Sequence, residues 1–572
     1  MDARKALITD IFNNSTLVEI PFFQRSYVWK EDLWSRLLED MEFVVKTKKP
    51  HFLGSIILKQ GSTPVSGALY SACKTIVDGQ QRLTTFLIFL KVLCLKTGQT
   101  ALFDFQFRIM GQEMALRHGK NDIRAFEKVM SLTKAEKLEN FEKNSRVVEA
   151  FNYFVDNIDA KKLDVMQIIM NTQFVRIDLD INENEQQIFD TINSLGVSLT
   201  TSELLKNYFF GRTSINEYES IWVQAFEKDE ETKAYWDIEL ETGRIKRAMI
   251  DIFFDAYFQL FIQDKQYNIS NEDKLMYARV DNLSQSYQHF INNYCDGDKS
   301  IVLSQMKEYA LCFMQTFRPE QCNMAVPKEM GTERLNIIIF GLKNTTLIPY
   351  VLYLAKNIDQ KEELNQICGV LESYIMRRMV VHAPTKNYNN LFTSLILNGV
   401  LDIDTLRMRL QKAGDATTYI PSDEELEIGF KKEKLVNLQA RGIIYLLESI
   451  IRPADSATAL LGFNSYSLEH LMPKKWRNNW LPCTSEELAK KRDSILLTLG
   501  NLAIIPQSLN ASIRDAAWDV KKSGKGNKPG LAICAGGLYT FQNVLDKTDW
   551  NENEIIERAT WMSNQAKNVW KL

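Results

Sequence analysis

The stretch Thr75–Leu87, TIVDGQQRLTTFL, constrains this chain more than any other. The β-branched residues Thr75, Ile76 and Val77 suit a short buried strand. Asp78-Gly79 breaks that strand as a turn pair. Beyond it Leu83, Phe86, Leu87 and Leu90 recur at helical spacing. An acid, two amides and a guanidinium (Asp78, Gln80, Gln81, Arg82) therefore fall in a strand-to-helix turn. The first-turn N–H groups of a helix have no intrahelical partner and can receive an anion. The competing local reading is that Asp78 caps the helix and Arg82 pairs with a surface acid.

The segments before the turn add partners. A short helix is expected at the start of the chain. Pro21 then forces an extended entry into Phe22-Phe23-Gln24-Arg25-Ser26-Tyr27-Val28-Trp29. Gln24 and Arg25 among aromatics suit stacking and the holding of a phosphate or carboxylate. Leu33, Leu37, Met41 and Val44 form the stripe of an amphipathic helix over 29–45. His51–Leu58 reads as a strand whose Gly54 permits close backbone approach. Helix, strand, loop, strand, turn and helix make a small α+β unit.

A chain of 572 residues is too long for one ordinary core, so two to four domains are expected. The net charge of -3 means that any nucleic-acid contact must use local basic patches. No N-terminal apolar segment and no membrane-length apolar run are present, so a cytoplasmic location without membrane contact is expected. Eight scattered cysteines without a CxxC pair argue against a zinc knuckle or a disulfide framework. With only five histidines, candidates for imidazole chemistry are few.

Residues 100–170 read as mostly charged helix, and Phe174–Leu179 alternates as a strand. A helix capped at 182–185 and ended by Gly196 is expected next. Another follows, capped by Thr200 or Thr201, with Glu203 completing a capping box. Residues 212–450 carry few strand signals and read as a helical middle, in which Arg377 and Arg378 sit on an otherwise apolar helix that could pair with acids. The last section changes character. Ser467–Pro473 joins a short strand to a proline turn, and Thr498–Pro506 gives a second strand. A helix runs through Trp518 to Lys522, and a closing helix spans 550–570. Between Lys474 and Lys528 eleven Lys/Arg face five acids, the local excess a polyanion would need. His470 is the best general-base candidate, preceded by Glu469 and followed at a distance by Asn501 and Asn510. A carboxylate and an amide oxygen can hold a hard divalent cation while a neutral imidazole deprotonates water.

IPFFQRSYVW (20–29), GSIIL (54–58), IVDGQQRLTT (76–85), NEQQIFDTINSLGVSLTTSELLKNYFF (184–210) and the Arg377-Arg378 pair resemble the GmrSD-type modification-dependent restriction enzymes and their SspE-like and BrxU-like anti-phage relatives. EHLMP (469–473), LGNLAIIP (499–506), Asn510 and the closing Ile555, Arg558 and Trp570 resemble the HNH-type nuclease half of such enzymes. The resemblance implies a ParB/sulfiredoxin-like N-terminal domain that binds and hydrolyses nucleotide, and a ββα-metal nuclease domain. By position, Asp78, Gly79, Gln80, Gln81 and Arg82 would form the nucleotide site, with Gln24 and Arg25 adjacent. Asp78 and Arg82 would take part in turnover. His470 would be the general base, Asn501 would brace the loop between the strands, and Glu469 and Asn510 would be metal ligands. Many HNH sites carry Asp where Glu469 stands, and the helix expected at Ser485–Leu497 lengthens the motif.

The expected fold is α+β and mostly helical. Its parts are an N-terminal nucleotide domain (1–211), a helical middle (212–450) and an HNH-type endonuclease domain (451–572). The expected function is a nucleotide-regulated, Mg²⁺- or Mn²⁺-dependent DNA endonuclease or nickase of bacterial anti-phage defence, using GTP or ATP and acting on or licensed by modified DNA. A homo-oligomer is compatible with this. The alternative is a non-catalytic DNA- or nucleotide-binding regulator with a degenerate HNH module.

Overall fold

The computed structural model describes residues 2–13, 15–61, 68–139, 141, 145–180, 200–210, 214–242, 245–278, 282–412, 417–456, 458–480, 482–507, 515–526 and 528–571. The expected helix at 182–185 and its Gly196 cap, and the candidate ligand Asn510, lie outside the described residues. The fold is α+β and mostly helical. Two compact units divide it, Met1–Ser220 and Ile221–Leu572. No described helix is long and apolar enough to cross a membrane.

The first unit is built on a six-stranded mixed sheet. In chain order its main elements include β1 (Asp2–Leu7), β2 (Thr16–Glu19), α1 (Glu31–Thr47), β3 (His51–Gln60), β4 (Ala72–Asp78), α2 (Gln80–Thr97), β5 (Leu116–Arg117), α3 (Arg146–Asn157), β6 (Thr172–Leu179) and α4 (Thr201–Phe209). The spatial order is β1-β6-β3-β4-β2-β5. β3 runs antiparallel to β4 and parallel to β6, so the central strands carry the turn at Asp78. The helix α2 is buried from Gln80 to Cys94 on nearly every face. Each large apolar side chain so buried, such as Leu83, Phe86 or Leu90, contributes about 1.5–3 kcal/mol.

Two expectations fail here. The chain starts as a strand, with only a single helical turn at Ile8–Ile11. The polar run DARKAL has ordinary helix propensity, but the open edge of β6 pairs with it from Asp2 to Leu7. The region 100–170 is helical but interrupted by short strands, one of which, β5, extends the sheet beside β2. At two residues it is too short for a periodic signal. The capping box at Thr200 and Glu203 forms as expected.

The second unit is largely helical. Its elements used below are α5 (Lys361–Val380), α6 (Asp423–Lys432), α7 (Asn437–Ile451), β7 (Tyr466–His470), α8 (Glu486–Ile495), β8 (Leu502–Pro506), α9 (Trp518–Ser523) and α10 (Glu552–Val569). A hairpin at Glu239–Thr242 and Ile245–Ala248 interrupts the helices. Arg377 and Arg378 are buried on α5 and bind mostly main chain rather than acids. Arg377 donates to the carbonyls of Trp570 and Pro421 and to Asp423, at 2.6, 3.0 and 2.6 Å. Arg378 donates to the carbonyls of Pro384, Thr417 and Tyr419. The pair clamps otherwise irregular chain by giving partners to carbonyls that helix and sheet leave over.

Candidate functional site

In the first unit, α1, β3, the turn after β4 and α4 surround a cavity of about 890 Å³. Gln24, Arg25, Asp78, Gly79, Gln80, Gln81 and Arg82 all line it, so the sequence candidates meet in one place. Gly79, at φ +100°, is the N-cap of α2, and no side chain caps it. Asp78 thus does not close the helix; its carboxylate lies 3.7 Å from the Arg82 guanidinium. The first turn of α2 keeps N–H groups and a positive dipole end facing the cavity.

The two glutamines divide the work. Gln81 accepts from Val28 N–H at 2.9 Å and donates to the Ser26 carbonyl at 3.1 Å, so its amide stitches the 24–28 loop to α2. Gln80 donates to the Arg25 carbonyl at 2.8 Å, while its buried Oε1 has no partner among the described residues. Gln24 donates to the carbonyl of Ile76 at 2.8 Å. Tyr27 locks the same loop from below: its hydroxyl bonds Thr85 at 2.6 Å and accepts from Trp34 at 2.8 Å.

Arg82 lies flat against β3 and donates to the Ser55 carbonyl. Gly54, at φ +125°, makes this possible: a Cβ there would meet Arg82 Nε at 2.9 Å. The close approach inferred from the sequence is thus made by a side chain. Arg36, Asp40 and His51 also line the cavity, and His51 Nε2 is 3.4 Å from Asp40. Sequence reasoning missed all three. Arg36 and Asp40 share the α1 face that carries Leu33 and Leu37, and that spacing was the available signal. Glu203, 4.0 Å from Arg25, and Asn207 complete the lining from α4.

In the second unit, β7 and β8 pair antiparallel with Glu469 opposite Ala503 and His470 opposite Leu502, and α9 follows. Asn501 is fully buried and its amide is saturated. Its Oδ1 accepts from Met472 N–H and Trp550 Nε1 at 2.8 and 3.1 Å. Its Nδ2 donates to the carbonyls of Met472 and Leu496 at 2.9 and 3.0 Å. Asn501 thus fixes the turn just after His470. A Cβ on the preceding Gly500 would run into the Ile555 carbonyl of α10. Arg558 of α10 donates to the carbonyls of Gly500 and Leu502, both at 2.8 Å.

His470 Nε2 is buried and has no hydrogen-bond partner among the described residues. Burial, with the Lys474 and Lys521 ammoniums nearby, pushes its pKa down to about 4, so the imidazole is neutral at neutral pH. Glu469 is buried and ion-paired to Lys521 of α9, a lysine the sequence reading treated only as surface charge. Burial raises the carboxyl and lowers the ammonium against their mutual attraction. Among the described residues no group of three or more His, Cys, Asp or Glu could hold a metal. Glu469 pairs with Lys521 through Oε1, and a carboxylate with a second oxygen is the donor type that a hard cation keeping most of its waters takes. The expected basic excess is smaller than its count, because Lys521 and Arg492 are buried in pairs with Glu469 and Glu552.

Two family models match the chain. One, the GmrSD restriction endonuclease N-terminal domain, covers residues 8–210, and the other, the GmrSD restriction endonuclease C-terminal domain, covers 420–565. Each match contains one of the two sites. No curated protein matches the sequence. The class is thus restriction endonuclease, with DNA as substrate. The chain belongs to the GmrSD restriction endonuclease family.

Proposed function

We propose that the protein is a nucleotide-regulated DNA endonuclease of anti-phage defence, cutting or nicking DNA that carries, or is licensed by, a modification. The nucleotide, GTP or ATP, occupies the first unit's cavity. Its phosphates face the uncapped start of α2, between Arg25 and Arg82, and the unpartnered Gln80 Oε1 accepts from a ligand hydroxyl or a bound water. That uncapped, arginine-flanked helix start within a large cavity is the observation that carries the reading. Asp78 sits where it can orient water or a cation beside the phosphates.

In the second unit the site is read as an HNH-type nuclease. Glu469, with Asn510, would hold Mg²⁺ or Mn²⁺, which would supply charge neutralisation at the scissile phosphate. His470 takes a proton from the attacking water through Nε2, which its neutral state allows. Asn501 keeps the imidazole in place by fixing the turn that follows it. Hydrolysis in the first unit is relayed through the helical middle to this site.

The test is cleavage of matched modified and unmodified DNA with Mg²⁺ or Mn²⁺ across a nucleotide panel, wild type against His470→Ala. Nucleotide-dependent cleavage that His470→Ala loses is expected. Identical gels for the two proteins would favour a non-catalytic binder.

A further inference from the structure

We propose that Lys521 is a positioning residue of the nuclease site, holding the Glu469 carboxylate in the orientation in which it takes a divalent cation. The inference rests on reading Glu469 as a cation ligand. Lys521 has a side chain that is 0% exposed, which is rare for a lysine. Its ammonium donates to Glu469 Oε1 and, at 2.6 Å, to the main-chain carbonyl of His470. One side chain from α9 thus ties both site residues at the end of β7.

Packing alone does not explain this lysine. A buried ion pair loses hydration on both sides, and apolar residues of similar volume often serve stability as well or better. The neighbouring Lys522 shows the ordinary alternative, half-buried and donating to the Lys547 carbonyl at 3.2 Å. A carboxylate has two oxygens and about four lone-pair directions. With Lys521 on Oε1, the group's rotation is fixed while acceptor capacity remains for a cation. The bond to the His470 carbonyl keeps the ammonium in place independently of Glu469. Partners that orient a ligand in this way typically affect metal affinity about 10–100-fold.

The test is Mn²⁺ binding by calorimetry on the full chain, without DNA or nucleotide, for wild type, Lys521→Met, Glu469→Gln and the double variant, with folding checked by near-ultraviolet circular dichroism. Lys521→Met is expected to bind Mn²⁺ about ten-fold more weakly. The double variant should bind no more weakly than Glu469→Gln alone, since the lysine acts through the glutamate. Unchanged or tighter binding by Lys521→Met would overturn the proposal, the latter making the ammonium a stand-in for the cation. Additive losses would overturn it too. Wild-type affinity in Glu469→Gln would instead remove the reading of Glu469 as a ligand, and the proposal with it. Should Lys521→Met not fold, Lys521→Gln serves in its place, with a several-fold loss expected and wild-type affinity contradicting the proposal.

Discussion

Arg82 owes its position to a residue twenty-eight places earlier. Gly54 adopts a backbone conformation that L side chains rarely take and leaves room for the guanidinium. Gly54→Ala is expected to cost about 1–3 kcal/mol of backbone strain and to push Arg82 out of the cavity. Nucleotide affinity, measured by fluorescence titration, should fall more than thermal stability alone explains. Gln81 is a strut by comparison. Gln81→Ala leaves the Val28 N–H without its partner. It should destabilise the protein by about 0.5–1.5 kcal/mol in urea unfolding, the net worth of a part-buried hydrogen bond. The residue types at both positions were legible in the sequence, but their division of labour was not. Nothing in the string QQR says that Gln81 faces its own loop while Gln80 leaves an acceptor open.

The elements divide by how local their determinants are. α1, α2, β3, β4 and β6 follow from periodicity and turn chemistry within their own segments, and the sequence predicts each within a few residues. β1 and β5 exist because a sheet edge pairs with them, and no local pattern announces that. The same holds for Lys521: a lysine on an amphipathic helix reads as solvated until a buried carboxylate is found opposite. Against α2, His118 is buried, with Thr84 Oγ1 at 3.0 Å and the Phe126 ring against it. Burial lowers its pKa to about 3. The unfolded imidazole titrates near 6.5, so between the two values the unfolded chain binds the extra proton. The contribution to stability is therefore complete above about pH 6.5 and declines by about 1.4 kcal/mol per pH unit below it. His118→Gln should flatten that slope between about pH 6.5 and 5.5 in denaturant unfolding of the first unit. In the second unit, Arg558→Met strips partners from the carbonyls of Gly500, Leu502 and Thr540. A loss of at least about 3 kcal/mol is expected in chemical denaturation, with Asn501 and the His470 turn loosened.

Across the chain, the two sites differ in how they are made. The first unit's cavity collects segments from Gln24 to Asn207, whereas His470 and Glu469 come from β7 and Lys521 from α9. The first site was legible because its polar residues crowd one turn. The second was legible in His470 and Asn501 and illegible in what pairs with Glu469. The proposed division of chemistry is tested most directly by measuring nucleotide turnover and DNA cleavage side by side in wild type, Arg82→Ala and His470→Ala. Arg82→Ala should lose turnover, and His470→Ala should keep it while losing cleavage. Turnover that survives Arg82→Ala, or wild-type cleavage by His470→Ala, would contradict the assignment.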